Sequence, residues 1–320
     1  MNAEIIMQQM AIFVIIMTIA FFLRRIKIFT EDTNTHISKI ILNLTLPAFL
    51  ISSVLGDRMP IDRSQTPIFF GVILLSFVIT GIICAIFVFT CVKNKDERGA
   101  YVMMGLVGNV NFMGLPFVNA FLGSEVMVFA TMYSLIFTLT TFTIGMKLIG
   151  GRDAKVSAKL IFNPVACAAM AAVILFLIDF RLPGYGSDFY LVGEVFGRVF
   201  GSVGAVTSPM AMVILGSTLA GMKFKEMFQG WRTYAISIVR VVVVPILLFF
   251  ALWPLTPSAY PELLKVIIII NATAMAISIV IIAAKYHKNE KIIGQGIFVS
   301  HLISLITLPI ILPWLFSFLS

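Results

Sequence analysis

Long apolar runs alternate with short polar segments along the whole chain. A bilayer crossing takes about 20 mainly apolar residues. Ten runs are read as crossings: residues 3–23, 37–55, 67–92, 100–122, 125–149, 163–180, 189–222, 232–254, 262–284 and 292–319. Within a bilayer every backbone N–H and C=O must be paired inside the protein, so the runs are read as helices. The seventh and tenth exceed one crossing and are expected to tilt or to begin at the interface. The expected fold class is an all-α integral membrane protein with ten transmembrane helices. The first run follows Met-Asn-Ala-Glu without a basic stretch, so it is read as a span and not a signal peptide.

Polar residues interrupt two of the runs. In the fourth, Gly108-Asn109-Val110-Asn111-Phe112-Met113-Gly114-Leu115-Pro116 puts two glycines, two asparagines and a proline into an apolar setting. Such a stretch is poor helix material. A lipid-exposed loop at that depth would leave backbone groups unpaired, so a helix broken at mid-membrane and lining a cavity is expected. The plainer alternative is a kinked helix whose asparagines bond a neighbour. The ninth run carries Asn271-Ala272-Thr273-Ala274-Met275-Ala276-Ile277-Ser278, 160 residues beyond Asn111. Thr45-Leu46-Pro47 in the second run recurs as Thr207-Ser208-Pro209 in the seventh, an offset of 162. The two offsets agree, and five spans per half is an odd number. The chain is therefore read as two inverted five-helix repeats, residues 1–150 and 151–320, with spans 4 and 9 as broken crossover helices.

Charge gives the orientation. Loops one, three, five, seven and nine carry 17 of the 23 lysines and arginines, and the even loops carry Arg58, Arg63, Arg181, Arg198 and Lys265. By the positive-inside rule the odd loops face the cytoplasm and both termini lie outside a cell membrane. The net charge of +8 is thereby absorbed without invoking nucleic acid. The composition agrees: 60% of residues are hydrophobic, 12% are charged, and the mean hydropathy is +1.04. Cys84, Cys91 and Cys167 show no metal or redox spacing and are read as core residues, with no metal and no cofactor expected.

A broken helix exposes half-helix ends. Its N-terminal end offers unpaired N–H groups and about half a positive charge, which suits a carboxylate. Gly108 and Gly114 allow close backbone approach, and Pro116 costs little just after a break. Asn109 and Asn111 donate and accept, as do Asn271 and Thr273, with Ser278 beyond them. These eight are the candidate substrate-binding residues, a set suited to an anion held by neutral donors. The acidic residues lie in loops or near span ends, which leaves no carboxylate as an obvious proton carrier. The coupling ion is left open between H+ and Na+. Arg240 lies inside the eighth span, either snorkelling to the cytoplasmic surface or lining an inward vestibule. His301 is read as a structural histidine in preference to a proton relay.

These residues resemble the auxin efflux carrier family, which includes PIN-type carriers and bacterial malate or malonate permeases, over essentially the whole chain. The stretch from Gly108 to Pro116 carries most of the likeness. Pro47, Asn163-Pro164 and Ala283-Ala284-Lys285-Tyr286 support it. The resemblance implies a fold related to bile-acid/sodium symporters, elevator-type movement, a homodimer, and Asn109 touching a substrate carboxylate. This chain lacks the family's second crossover proline between Asn271 and Ser278, which implies a milder break there. The expected function is transport of small organic anions such as malate, malonate or auxin-like acids. A sodium-coupled symporter of the bile-acid type is the alternative. A channel would want a ring of charged side chains. A membrane enzyme would want His, Cys or carboxylate clusters, which the three separated histidines do not make.

Overall fold

A computed structural model describes residues 3–55, 61–151, 154, 158–182, 190–221 and 230–319. Among these the chain is helical, with one isolated antiparallel bridge and no strand of its own. Seven helices are long and apolar enough to cross a membrane: α1 (Glu4–Arg25), α2 (Glu31–Leu55), α3 (Arg63–Cys91), α6 (Ser124–Gly150), α8 (Leu191–Gly221), α9 (Trp231–Leu255) and α12 (Glu290–Leu319). The other three apolar runs differ. The fourth is split into α4 (Lys95–Leu106) and α5 (Val110–Leu122), and the ninth into α10 (Pro261–Ala272) and α11 (Ser278–Tyr286). The sixth forms α7 (Pro164–Leu177), whose 14 residues span about 21 Å at 1.5 Å per residue, less than the hydrocarbon core. Arg58, Arg152, Lys155, Lys223 and Lys225 of the charge tally lie outside the described residues, as do both ends of the seventh run.

Local sequence sets the helix ends. Asn163 caps α7 by accepting from the Ala166 N–H at 3.0 Å, and Pro164 fills the first turn, where its missing N–H costs nothing. Asn94 caps α4 in the same way. Three spans contain a single wide π-helical turn with a proline two residues beyond its end: Ile41–Thr45 before Pro47, Val110–Gly114 before Pro116, and Val239–Val243 before Pro245. A proline lacks the N–H and crowds the carbonyl four residues back. In each case the residue before it bonds five residues back, Leu46 to Ile41, Leu115 to Val110 and Val244 to Val239. The ladder slips by one position and the strain of the ring is relieved without a sharp kink.

Packing separates the helices into two sets. In one, α1 runs along the second half of α8, and the second half of α2 packs against α7 and the first half of α8. In the other, α3 packs on α4, α9 on α10 and α12, and α11 on α12 and the end of α6. The sets meet where α7 and the second half of α2 lie on α6, where α1 touches α12, and where the second half of α8 touches the turn at Val110–Gly114. Arg63, at the start of α3, also pairs with Asp179, just past α7. That hydrogen bond, joined by Arg181, holds the half-buried Asp179 carboxyl below the usual carboxylate range.

Candidate functional site

The two breaks lie against each other. Helix α4 ends at Leu106, Val107 is extended, and the chain turns helical again after Asn109. Helix α10 ends at Ala272, Thr273 is extended, and α11 starts at Ser278. Between them Gly108 and Met275 form an antiparallel bridge, with the Asn109 N–H donating to Ala274 O at 2.8 Å and the Ala276 N–H to Val107 O at 3.1 Å. Backbone groups freed by one break are thus paired by the other, which answers the accounting problem of irregular chain in a membrane. The gap in the ninth run is longer than that in the fourth, so the missing proline does not make it the milder break. Strong pairing partners, with no proline needed, hold it open.

Helix α12 ties both breaks through consecutive residues. The Met275 N–H donates to Ser300 Oγ at 3.0 Å. His301 Nδ1 lies 2.6 Å from Ile297 O, so it carries the proton, and Nε2 accepts from Asn109 Nδ2 at 3.2 Å. The histidine therefore reads as a neutral ring that orients Asn109. His301→Leu would strand a buried amide N–H, at an expected cost of about 1–3 kcal/mol. His301→Gln, which can still accept, should recover part of that in thermal unfolding of the purified protein.

The crossing sorts the half-helix ends by polarity. Both C-terminal ends, of α4 and α10, face Arg240, which is fully buried in the wide turn of α9. Its Nη1 donates to Gly105 O at 3.3 Å, Leu106 O at 3.4 Å and Asn271 Oδ1 at 3.1 Å, and its Nη2 to Ile270 O at 3.4 Å. Neither sequence expectation for this residue holds: Arg240 does not reach the surface, and it does not line the cavity described below. Four acceptors at the negative ends of two helix dipoles offset its desolvation.

Both N-terminal ends, of α5 and α11, border a cavity of about 300 Å³. Asn109, Asn111 and Ser278 line it from the crossover. Ser38, Asn43 and Asn163 complete its polar wall from the opposite set of helices. Apart from Thr138 the rest is apolar and includes Phe112, Phe137, Phe142 and Ile277. Among the described residues no lysine, arginine or histidine lines it. Asn109 Oδ1 caps α5 through the Phe112 N–H at 3.4 Å, so only part of this side chain is left for a ligand. Asn111 Oδ1 accepts from Ser134 Oγ at 3.4 Å. Ser278 Oγ is buried and has no hydrogen-bond partner among the described residues.

The other candidates do not reach the cavity. Asn271 is held by Arg240, Tyr133 and Ile267. Thr273 Oγ1 donates to Ile270 O at 2.6 Å. Gly108 sits in the bridge, Gly114 lets α5 approach Ile270, and Pro116 opens the helix after the wide turn. Ser38, Asn43, Asn163 and Thr138 belong to the cavity but were not named as site residues from sequence. Of these only Asn163 carried a signal, its pairing with Pro164.

The comparisons with known proteins bear on what such a crossing is for. The family model described as "Membrane transport protein" matches residues 5–159 and 153–312. An uncharacterized transporter of Methanocaldococcus jannaschii is 22% identical over 318 residues, covering 95% of this chain and 97% of its own. The uncharacterized transporter YfdV of Escherichia coli is 24% identical over 315 residues, covering 93% of each chain. An uncharacterized transporter of Methanothermobacter thermautotrophicus is 20% identical over 301 residues, 92% of this chain and 94% of its own. With several apolar helices and a family match along nearly its whole length, this multi-pass membrane chain belongs to the membrane transport protein family.

Proposed function

We propose that the protein is an alternating-access carrier of small organic anions of the auxin efflux type, built from two inverted five-helix repeats. The observation that carries this reading is the cavity at the two half-helix N-terminal ends. Two positive dipole ends and the amides of Asn109 and Asn111 converge there, with Ser278 in the wall. Such neutral donors suit one carboxylate and let it leave again, since among the described residues the cavity wall carries no fixed cation. The apolar walls favour an acid with an aliphatic or aromatic body over malate or malonate, whose second carboxylate would lie against Phe137 or Ile277.

The cavity lies between the two packed sets of helices. Ser38, Asn43 and Asn163 come from one, and the crossover residues from the other. Sliding of the crossover set against the other would carry a bound anion across, in the elevator manner. Ser38 and Asn163 adjoin the loops rich in lysine and arginine, so the cavity belongs to the cytoplasmic-facing state.

The test is thermal unfolding of the purified protein against a panel of carboxylates, followed by uptake of the best ligand into liposomes. A ligand present at 100 times its dissociation constant adds about 2.7 kcal/mol of stability. Monocarboxylates with an apolar body should shift the transition more than malate or malonate. A panel in which no carboxylate shifts it or is taken up would remove this reading.

A further inference from the structure

We propose that Arg240 is a built-in cation of the crossover, standing where broken-helix carriers hold a monovalent coupling ion, so that this protein binds no sodium there. In such carriers the exposed C-terminal carbonyls of discontinuous helices are the groups that coordinate Na+. In this protein the carbonyls of Gly105 and Leu106 at the end of α4, and of Ile270 near the end of α10, all accept from one guanidinium. The side-chain oxygen of Asn271 completes the set. These are oxygen ligands of the kind a hard cation takes from two chain segments. They are spent on a positive charge that cannot dissociate.

The surroundings support a built position. The side chain of Arg240 is fully buried. A Cβ on Gly108 would lie 2.0 Å from Nη2, so the bridge residue and the guanidinium fill the space together. Tyr133 fixes the far side of Asn271 by accepting from Nδ2 at 3.0 Å, which aims Oδ1 at Arg240. The wide turn at Val239–Val243 places the side chain there. The charge moves with the crossover, and substrate carriage does not depend on a sodium gradient.

The inference stands on the crossover alone, and its test uses no carboxylate, so it succeeds or fails separately from the anion reading. Purified wild-type protein is unfolded thermally in sodium chloride and in choline chloride at equal ionic strength. The two curves should coincide. Sodium-specific stabilisation of the wild type would overturn the proposal. Arg240→Ala should unfold several degrees lower and regain part of the loss in sodium or dilute guanidinium, with no gain in choline. Arg240→Lys, which keeps the charge, should remain indifferent to sodium. A folded Arg240→Ala protein indifferent to both small cations would also overturn the idea, since the side chain would then merely fill space. If neither variant accumulates, sodium-specific stabilisation of the wild type would still overturn the proposal and coinciding curves would support it.

Discussion

Gly108→Ala is expected to lose about 3 kcal/mol of stability or more, and transport with it. An added Cβ would meet Arg240 Nη2 at 2.0 Å, Thr273 Oγ1 at 2.9 Å and Ile270 O at 3.0 Å. Overpacking of a closed interior costs about 1–3 kcal/mol and sometimes more. Here the guanidinium must also withdraw from at least one of four acceptors, leaving buried carbonyls unpaired at about 1–3 kcal/mol. The bridge between Gly108 and Met275 offers no slack, because both flanking hydrogen bonds fix its register. The check is the unfolding temperature of the purified variant beside its uptake rate. A Gly108→Ala carrier with wild-type stability would show that the guanidinium is not where it has been placed.

The second large effect separates two neighbouring asparagines. Asn111→Ala should cut uptake by about tenfold or more, the loss of one hydrogen bond to a charged group, while unfolding stays close to wild type. Asn111 is half-buried and lines the cavity, and among the described residues its one side-chain hydrogen bond comes from Ser134. Asn109→Ala should abolish uptake and also destabilise by about 1–2 kcal/mol, because the helix loses its N-cap. His301 Nε2 loses its donor as well. Uptake and thermal unfolding measured on both variants make the comparison. Equal loss of stability in the two would contradict the assignment of Asn109 to the cap and Asn111 to the ligand.

The sequence and the structure agree most closely where backbone chemistry decides. Two glycines, two asparagines and a proline among apolar residues can hardly remain a regular helix, so the break at Gly108 to Pro116 was visible. Asn271 to Ser278 was visible for its polar atoms, yet its longer gap was not. That gap is held by partners remote in sequence, Val107, Gly108 and Ser300. The same limit explains Arg240 and His301. Hydropathy places each within a span, but the direction each side chain takes depends on which helices stand beside it. The cavity wall from Ser38, Asn43 and Asn163 was hidden for the same reason. Small polar residues near span ends look alike whether they face water, a neighbour or a ligand.

The antiparallel bridge has a consequence for how such a chain comes into being. Each broken segment leaves loose backbone that remote residues complete: Val107 needs Ala276, Asn109 needs Ala274, and the carbonyls of Gly105 and Leu106 need Arg240. Neither broken segment inserted alone can satisfy its own main chain. During synthesis the first must wait, unfinished in the lipid, until the ribosome delivers the second.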